Sequence, residues 1–178
     1  MNYPPAEPFY VISLEEILWG GMLIAITITL HGFGMLLVLR LNHTVKNRIT
    51  TKKGLLPGLM PIILASCLIM IVHLTEVMVW AAFFIWKGAF TNTSLAYYFS
   101  LNEYTTVGSK YSLPQHWRLL EGMIAVAGLL TFAWSTGVLI TLAHEFQDER
   151  MESFKQHHPK RTSKLTQGQT KGKQNTDS

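Results

Sequence analysis

Apolar residues along this chain fall into three long blocks rather than recurring at the spacing of an amphipathic helix. The blocks run from 17 to 39, from about 59 to 86 and from 122 to 143, and each carries few or no charged residues. A run of about 18 such residues, rising about 1.5 Å each, is long enough to cross hydrocarbon about 30 Å thick. The pattern predicts an all-α membrane protein with three transmembrane helices.

Between the second and third blocks lies a shorter segment, 93–111, with the sequence TSLAYYFSLNEYTTVGSKY. It follows Asn92, a residue suited to capping a helix, and carries a helical aromatic and aliphatic stretch before the small and β-branched run Thr105 to Gly108. This order predicts a re-entrant helix followed by an extended loop. Irregular backbone at membrane depth is tolerated only where it is buried in protein or lines an aqueous cavity, so the segment indicates a path for ions.

The basic residues lie beside the blocks and in the C-terminal tail, so membrane orientation explains the net charge of +4 without a nucleic-acid partner. Residues 42–54 contain four Lys and Arg and no acid, which predicts a cytoplasmic loop. The N-terminus and the segment 87–116 are then external, and the C-terminus is cytoplasmic. The first 16 residues have three Glu and no Lys or Arg, unlike a cleaved signal peptide. We expect a multi-pass protein of the plasma (inner) membrane that keeps its first helix.

From residue 97 onward, the order of residue types is specific. An aromatic helix from Tyr97 to Tyr104 precedes Thr105 to Gly108, and further features follow at Pro114, Arg118, Ala127 with Gly128, and Thr131 with Phe132. Over about a quarter of the chain, this order resembles the pore region of tetrameric potassium channels. In that family four copies surround an axis, where backbone carbonyls and a Thr hydroxyl replace the water around a cation.

The resemblance implies a non-enzymatic subunit of a homotetramer in lipid, which passes monovalent cations, such as K⁺, down their gradient and needs no cofactor. The selectivity filter would comprise Thr105, Thr106, Val107, Gly108, Ser109, Lys110 and Tyr111. The implied organisation is an external arm (1–13), an extra transmembrane helix (14–41), the basic loop (42–54), a pore module (55–146) and a disordered polar tail (147–178). Within the module, the outer helix is 55–86, the pore helix and filter 92–111, and the inner helix 115–146.

The end of the filter departs from the family, which continues Val-Gly-Tyr-Gly-Asp where this chain has Val107, Gly108, Ser109, Lys110 and Tyr111. Lys110 replaces a Gly whose backbone angles cost a side-chain-bearing residue free energy. Four Lys110 ammonium groups at the mouth of a tetramer would repel cations. A non-conducting scaffold or accessory subunit with the same fold is therefore the alternative function.

Ionisable residues inside an apolar block are costly and usually face protein or water. His73 and Glu76 share one face of the second block, and His31 lies in the first. Three interpretations stay open: interhelical hydrogen bonds, a proton-sensitive cluster, and ligation of haem or a metal by the two histidines. No sequence motif of a metal site accompanies them.

Two further features of the pore module have alternative explanations. Gly128, with Phe132 beyond it, would form a hinge or gate by resemblance, although Gly in a membrane helix often serves close packing. Glu103 lies one turn before Val107 and either braces the loop or pairs with Lys110, or else is satisfied by solvent or backbone.

Overall fold

The computed structural model describes residues 11–49 and 55–157, and within them every regular element is helical. The elements are α1 (Leu14–Ile49), α2 (Leu55–Trp86), α3 (Thr93–Tyr104), a 3-10 turn (Gln115–Trp117) and α4 (Leu119–His157). The all-α prediction is confirmed for this part of the chain. Three stretches, Leu14–Lys46, Leu59–Trp86 and Gln115–Asp148, are long and apolar enough to cross a membrane. They indicate an integral membrane protein with three candidate spans, as predicted.

A capping box starts α1. The Ser13 hydroxyl accepts the Glu16 N–H at 3.1 Å, and the Glu16 carboxylate accepts the Ser13 N–H at 3.1 Å. The same carboxylate, fully buried, also accepts the N–H of Leu119 at 3.1 Å. Glu16 therefore fixes the start of α1 against the start of α4. At its other end α1 continues to Ile49, beyond the predicted boundary at 41, because residues 42–49 contain neither Pro nor Gly.

Helix α2 packs against both α1 and α3 and carries much of the apolar core. Trp80, Phe84 and Val77 of α2 are buried there, with Phe99 of α3. The Trp80 indole N–H donates to the hydroxyl of Thr27 on α1 at 3.0 Å, so this Trp belongs to the interior rather than to an interfacial belt. Large apolar side chains elsewhere on α1 and α2 are exposed, as expected of surfaces that face lipid or another subunit.

Helix α3 is a 12-residue element between α2 and α4. Asn92 caps it by accepting the N–H of Leu95 at 3.1 Å. At about 1.5 Å per residue, its length of about 18 Å is too short to cross a bilayer. One face is buried, including Phe99 and Tyr104, and that face holds α3 against the longer helices.

The described residues fall into two compact units, one before and one after the boundary between residues 139 and 140. The first contains α1, α2, α3, the loop that follows α3 and the first part of α4, and all the site residues below belong to it. The second contains the rest of α4, as far as His157. Most of the predicted external arm (1–10), part of the predicted basic loop (50–54) and the tail beyond 157 lie outside the described residues.

Candidate functional site

A buried polar cluster joins all four helices. His31 comes from α1, and His73 and Glu76 from α2; their exposed fractions are 0%, 8% and 0%. Helical spacing places His73 and Glu76 on one face of α2, towards α1. The Nδ1 atom of His31 lies 2.8 Å from Oε1 of Glu76, and that of His73 lies 3.5 Å from Oε2 of Glu76. The structure therefore brings together the three residues that the sequence singled out.

Tyr104, the last residue of α3, reaches the same cluster and was not predicted to belong to it. Its hydroxyl donates to Oε2 of Glu76, lies 3.0 Å from Nδ1 of His73, and lies 2.5 Å from the hydroxyl of Thr131 on α4. Burial, followed by the hydrogen bond to Glu76, raises the pKa of Tyr104, so the phenol keeps its hydrogen at neutral pH. The aromatic stretch of α3 gave no sign of which ring would turn inward.

Ser135 of α4 completes the cluster. Its hydroxyl lies 3.0 Å from Nε2 of His73 and 3.2 Å from Nε2 of His31. Thr131 and Ser135 are one helical turn apart and so lie on one face of α4. We call the closed cycle of His31, Glu76, Tyr104, His73 and Ser135 the polar ring. Thr131 is attached to it through Tyr104.

The donor set of His31, His73 and Glu76 lies within the reach of one metal ion, since one ligand atom from each falls within 4.8 Å of the others. Each ring nitrogen, however, already has a hydrogen-bond partner, as does each Glu76 oxygen. A haem held between the two histidines does not fit, because the Ser135 hydroxyl contacts both Nε2 atoms and the two imidazole centroids are 5.2 Å apart. Interhelical hydrogen bonding is the arrangement present.

The loop after α3 turns its donors inward. The N–H of Thr106 donates to the carbonyl of Glu103 at 3.0 Å, and those of Val107 and Gly108 donate to the carbonyl of Asn102 at 2.9 and 3.3 Å. These bonds satisfy the last carbonyls of α3, which otherwise lack partners. The Thr105 hydroxyl donates to the carbonyl of Leu101 at 2.8 Å, so Thr105 belongs to this cap rather than to the exposed loop.

The carbonyl groups of this loop differ from its amides. No hydrogen bond in residues 11–49 and 55–157 uses the carbonyl of Thr106, Val107 or Gly108. All three residues are exposed, and Val107 has an exposed fraction of 74%. Thr106 has φ 61° and Gly108 has φ 78°, both in the left-handed region. For a β-branched residue this conformation is strained, which makes Thr106 the conformationally costly position of the loop.

The outer part of the loop is held by two carboxylates. Oε1 of Glu103 accepts the N–H of Ser109 at 2.8 Å, and Oε1 of Glu121 accepts the N–H of Leu113 at 2.6 Å. The Glu103 carboxylate is thus satisfied by a backbone amide and does not pair with Lys110 in this structure. Through that hydrogen bond it also braces the loop. Burial raises the pKa of Glu103, while the Ser109 amide acts in the opposite direction.

Lys110 and Tyr111 lie at the exposed outer end of the loop. The Lys110 ammonium lies 5.1 Å from the centroid of the Tyr111 ring, and it has no carboxylate partner among the described residues. The Tyr111 N–H donates to the hydroxyl of Ser109 at 3.1 Å. Lys110 does not adopt the left-handed backbone that its position in the family pattern predicted; Thr106 and Gly108 do.

Gly128 lies directly against α3. A β-carbon on Gly128 would collide with the backbone carbonyl oxygen of Tyr104 and would come within 3.0 Å of its carbonyl carbon. The proposed hinge residue is therefore a point of close helix packing in this structure. Phe132, the proposed gate residue, stacks against His73 with ring centroids 4.5 Å apart and is partly exposed.

Comparisons with protein-family models, with curated proteins and with solved structures give no match for this chain. The resemblance to potassium channels accordingly depends on the residues from Tyr97 to Phe132 alone. The geometry of the polar ring and of the loop is what bears on function.

Proposed function

We propose that this chain is a subunit of a tetrameric, potassium-channel-like cation channel, which passes monovalent cations passively through a filter made by residues 105–111. The observation that carries the proposal is the polarity of the loop: the amide hydrogens of residues 105–109 bond back to α3, while Thr106, Val107 and Gly108 are exposed and their carbonyls accept no hydrogen bond within the described chain. Oxygen atoms held in this way are the ligands that a dehydrated cation requires.

The position of the loop supports the same function. Helix α3 is too short to cross a bilayer, and Tyr104 fixes its C-terminal end inside the polar ring. We infer that α3 is a re-entrant pore helix. Its C-terminal end carries partial negative charge, which favours a cation nearby.

A single copy of the loop leaves Val107 and its neighbours exposed and encloses nothing. Closure of a ring around one axis needs several copies, and in a four-fold arrangement each would supply the same carbonyls. We propose a homotetramer with lipid around it. By the charge argument, the N-terminus and the loop are external, the C-terminus is cytoplasmic, and the membrane is the plasma or inner membrane.

One observation favours the alternative of a non-conducting accessory subunit or scaffold. The Lys110 ammonium is exposed beside the filter loop without a carboxylate partner in the described chain, and four such charges would oppose cation entry. The two functions differ in flux and agree in fold and assembly.

Flux through liposomes that contain the purified full-length protein separates them. For the channel we expect cation flux with K⁺ or Na⁺ and none with an anion of similar size. A stable tetramer without flux of any ion would overturn the channel and leave the scaffold.

The route of the ions can be tested with cysteine. The only cysteine is Cys67, an exposed residue of α2, so Cys67→Ser gives a background without thiols. In that background, Thr106→Cys should make the flux sensitive to a charged, membrane-impermeant thiol reagent, because position 106 lines the proposed filter. Thr91→Cys, at an exposed Thr before α3, is the matched control and should stay insensitive. Equal sensitivity of the two variants would contradict a path through the loop.

A further inference from the structure

The polar ring has more contacts than its side chains have hydrogens. Five contacts close the ring, and the contact between Tyr104 and Thr131 is the sixth. Each joins two atoms that carry lone pairs, so each needs one hydrogen to be attractive. With Glu76 ionised, the two neutral imidazoles, the phenol and the two hydroxyls supply one hydrogen each, five in all. One contact is then left with two facing lone pairs.

A single additional proton completes the count. Placed on Glu76, His31 or His73, it lets every contact hold one hydrogen. The Thr131 hydroxyl also lies 3.1 and 3.0 Å from the carbonyls of Ala127 and Gly128 on its own helix. If its hydrogen points there, the ring is one hydrogen shorter still. With Glu76 ionised and both histidines neutral, the ring therefore lacks at least one hydrogen wherever the hydroxyl hydrogens are placed, and one added proton closes the count when the Thr131 hydroxyl donates to Tyr104.

The charge of the ring leads to the same number. An ionised Glu76 with two neutral histidines is an uncompensated buried anion, which is costly away from water. One added proton makes the ring neutral overall, and a second would make it a buried cation. Hydrogen count and charge thus select the same protonation state.

The groups that face the ring are few. Helix α1 contributes His31, α2 contributes His73 and Glu76, and α3 contributes Tyr104. From α4 come two hydroxyls and the rings of Phe132 and Trp134, none of which is charged. In the part of the chain that the structure describes, these residues have no hydrogen bond or ion pair to any other charged group. When the ring loses a proton, no positive charge beside it among the described residues compensates the negative charge that remains.

We propose that the polar ring is a proton-binding site that holds one titratable proton and that controls the joint between α3 and α4. Loss of the proton leaves one contact without a hydrogen and loosens Tyr104, the residue directly before the filter loop. As a regulator of conduction, the site rests on the function proposed above; as a proton site it does not.

The linkage between proton binding and folding gives the direction in which stability changes with pH. Above about pH 7.5, the unfolded chain keeps Glu76 ionised and both histidines almost entirely neutral, so it holds none of these protons, whereas the folded ring holds one. The folding equilibrium constant should therefore fall about tenfold per pH unit above that pH through this site, until the ring releases its proton.

Glu76→Gln is the decisive variant. The amide of Gln brings its own hydrogen to the ring, so all six contacts are satisfied without a bound proton. We expect the folding constant of the unaltered protein, divided by that of Glu76→Gln, to fall about tenfold per unit between pH 6.5 and 8. The measurement is reversible unfolding of the full chain in detergent micelles. A ratio that does not change with pH would overturn the proton site.

A second variant covers the case in which Glu76→Gln does not fold. Glu76→Leu removes the carboxylate and its two contacts, and the five hydrogens left are enough for the four contacts that remain, so the folding constant of the unaltered protein divided by that of Glu76→Leu should fall with the same slope. Thr27→Val is the matched control, because Thr27 makes a buried interhelical hydrogen bond to Trp80 outside the ring. The folding constant of the unaltered protein divided by that of Thr27→Val should be independent of pH. The same slope in Thr27→Val would assign the effect to burial in general and overturn the proposal.

Flux tests the coupling separately. In liposomes we expect cation flux of the unaltered protein to fall at the alkaline pH at which the ring loses its proton, and flux of Glu76→Gln to stay constant. Identical pH profiles of the two would overturn the regulatory role. Absence of flux in both overturns the channel, and with it the regulation, while the unfolding ratio still decides whether the ring binds a proton.

Discussion

The polar ring and the loop after α3, residues 105–111, meet at Tyr104 and satisfy their polar groups in opposite ways. In the ring, every nitrogen and oxygen of the buried side chains has a partner within the same chain. In the loop, the amides of residues 105–109 have partners, whereas the carbonyls of Thr106, Val107 and Gly108 have none in the part of the chain that the structure describes. The comparison teaches that the side chains of the ring find their partners within one chain, whereas the loop leaves three carbonyls without a partner among the described residues. Four predictions test this difference, beginning with the largest effect.

Tyr104→Phe should break the ring. It removes a hydroxyl that contacts His73, Glu76 and Thr131, and it leaves Oε2 of Glu76 buried with only the 3.5 Å contact to Nδ1 of His73. We expect the free energy of unfolding to fall by about 3 kcal/mol. Denaturant titration measures it, with Tyr98→Phe as the control, since Tyr98 is an exposed residue of the same helix. Equal losses in the two variants would contradict a special role for Tyr104.

Gly128→Ala should disturb the contact between α4 and the end of α3, where the ring and the loop meet. The new β-carbon meets backbone, which cannot turn away as a side chain can, so α3 must shift. We expect a loss of about 2 kcal/mol in the free energy of unfolding. Gly122→Ala on the same helix meets no atom within 4 Å and should be neutral or stabilising by up to about 1 kcal/mol. A neutral Gly128→Ala would favour the hinge over close packing.

Lys110→Gly should act on the loop and leave the ring intact. Removing the exposed ammonium should raise cation flux several-fold at low salt and less at high salt, because salt screens exposed charges. Lys110→Arg keeps the charge and should leave the flux unchanged. Unchanged or lower flux in Lys110→Gly would remove the argument that charge at the mouth opposes cations.

Glu103→Gln should have the smallest effect. Because burial raises the pKa of Glu103, the folded state holds this proton at pH values where the unfolded chain has released it. Stability of the unaltered protein should then fall as pH rises through the window just above the ordinary carboxyl pKa. The Gln variant keeps an acceptor for the Ser109 amide and should lack that fall. Asp148→Asn, at an exposed acid, is the control in the same unfolding measurement; a matching change there would refute the assignment.

Much of the fold could be predicted from the sequence, because long apolar runs and a short capped segment between them each have one physical explanation. The three candidate spans could be predicted from the lengths of the apolar runs, and the cap at Asn92 from the residue type before α3. The extension of α1 to Ile49 did not, since polar residues without a helix breaker fit a loop as well as a helix.

The site was only partly predictable. Spacing placed His73 and Glu76 on one helix face, and their cost in an apolar run pointed to partners. The choice of Tyr104 among several aromatic residues of α3 depends on how the helices cross, which no local pattern encodes. The same holds for Gly128, whose role is fixed by the carbonyl opposite it. Left-handed backbone at Thr106 could not be foreseen, because β-branched residues rarely adopt it.

The contact between Gly128 and the Tyr104 carbonyl has a mechanical consequence. No side chain lies between α4 and the end of α3 at this point, so α4 cannot rotate about its own axis there without displacing the peptide that leads into Thr105. Position 128 therefore couples the movement of α4 to that of the loop. A bend of α4 that leaves the loop in place must occur at another position of the helix. A bend at Gly128 moves the loop as well.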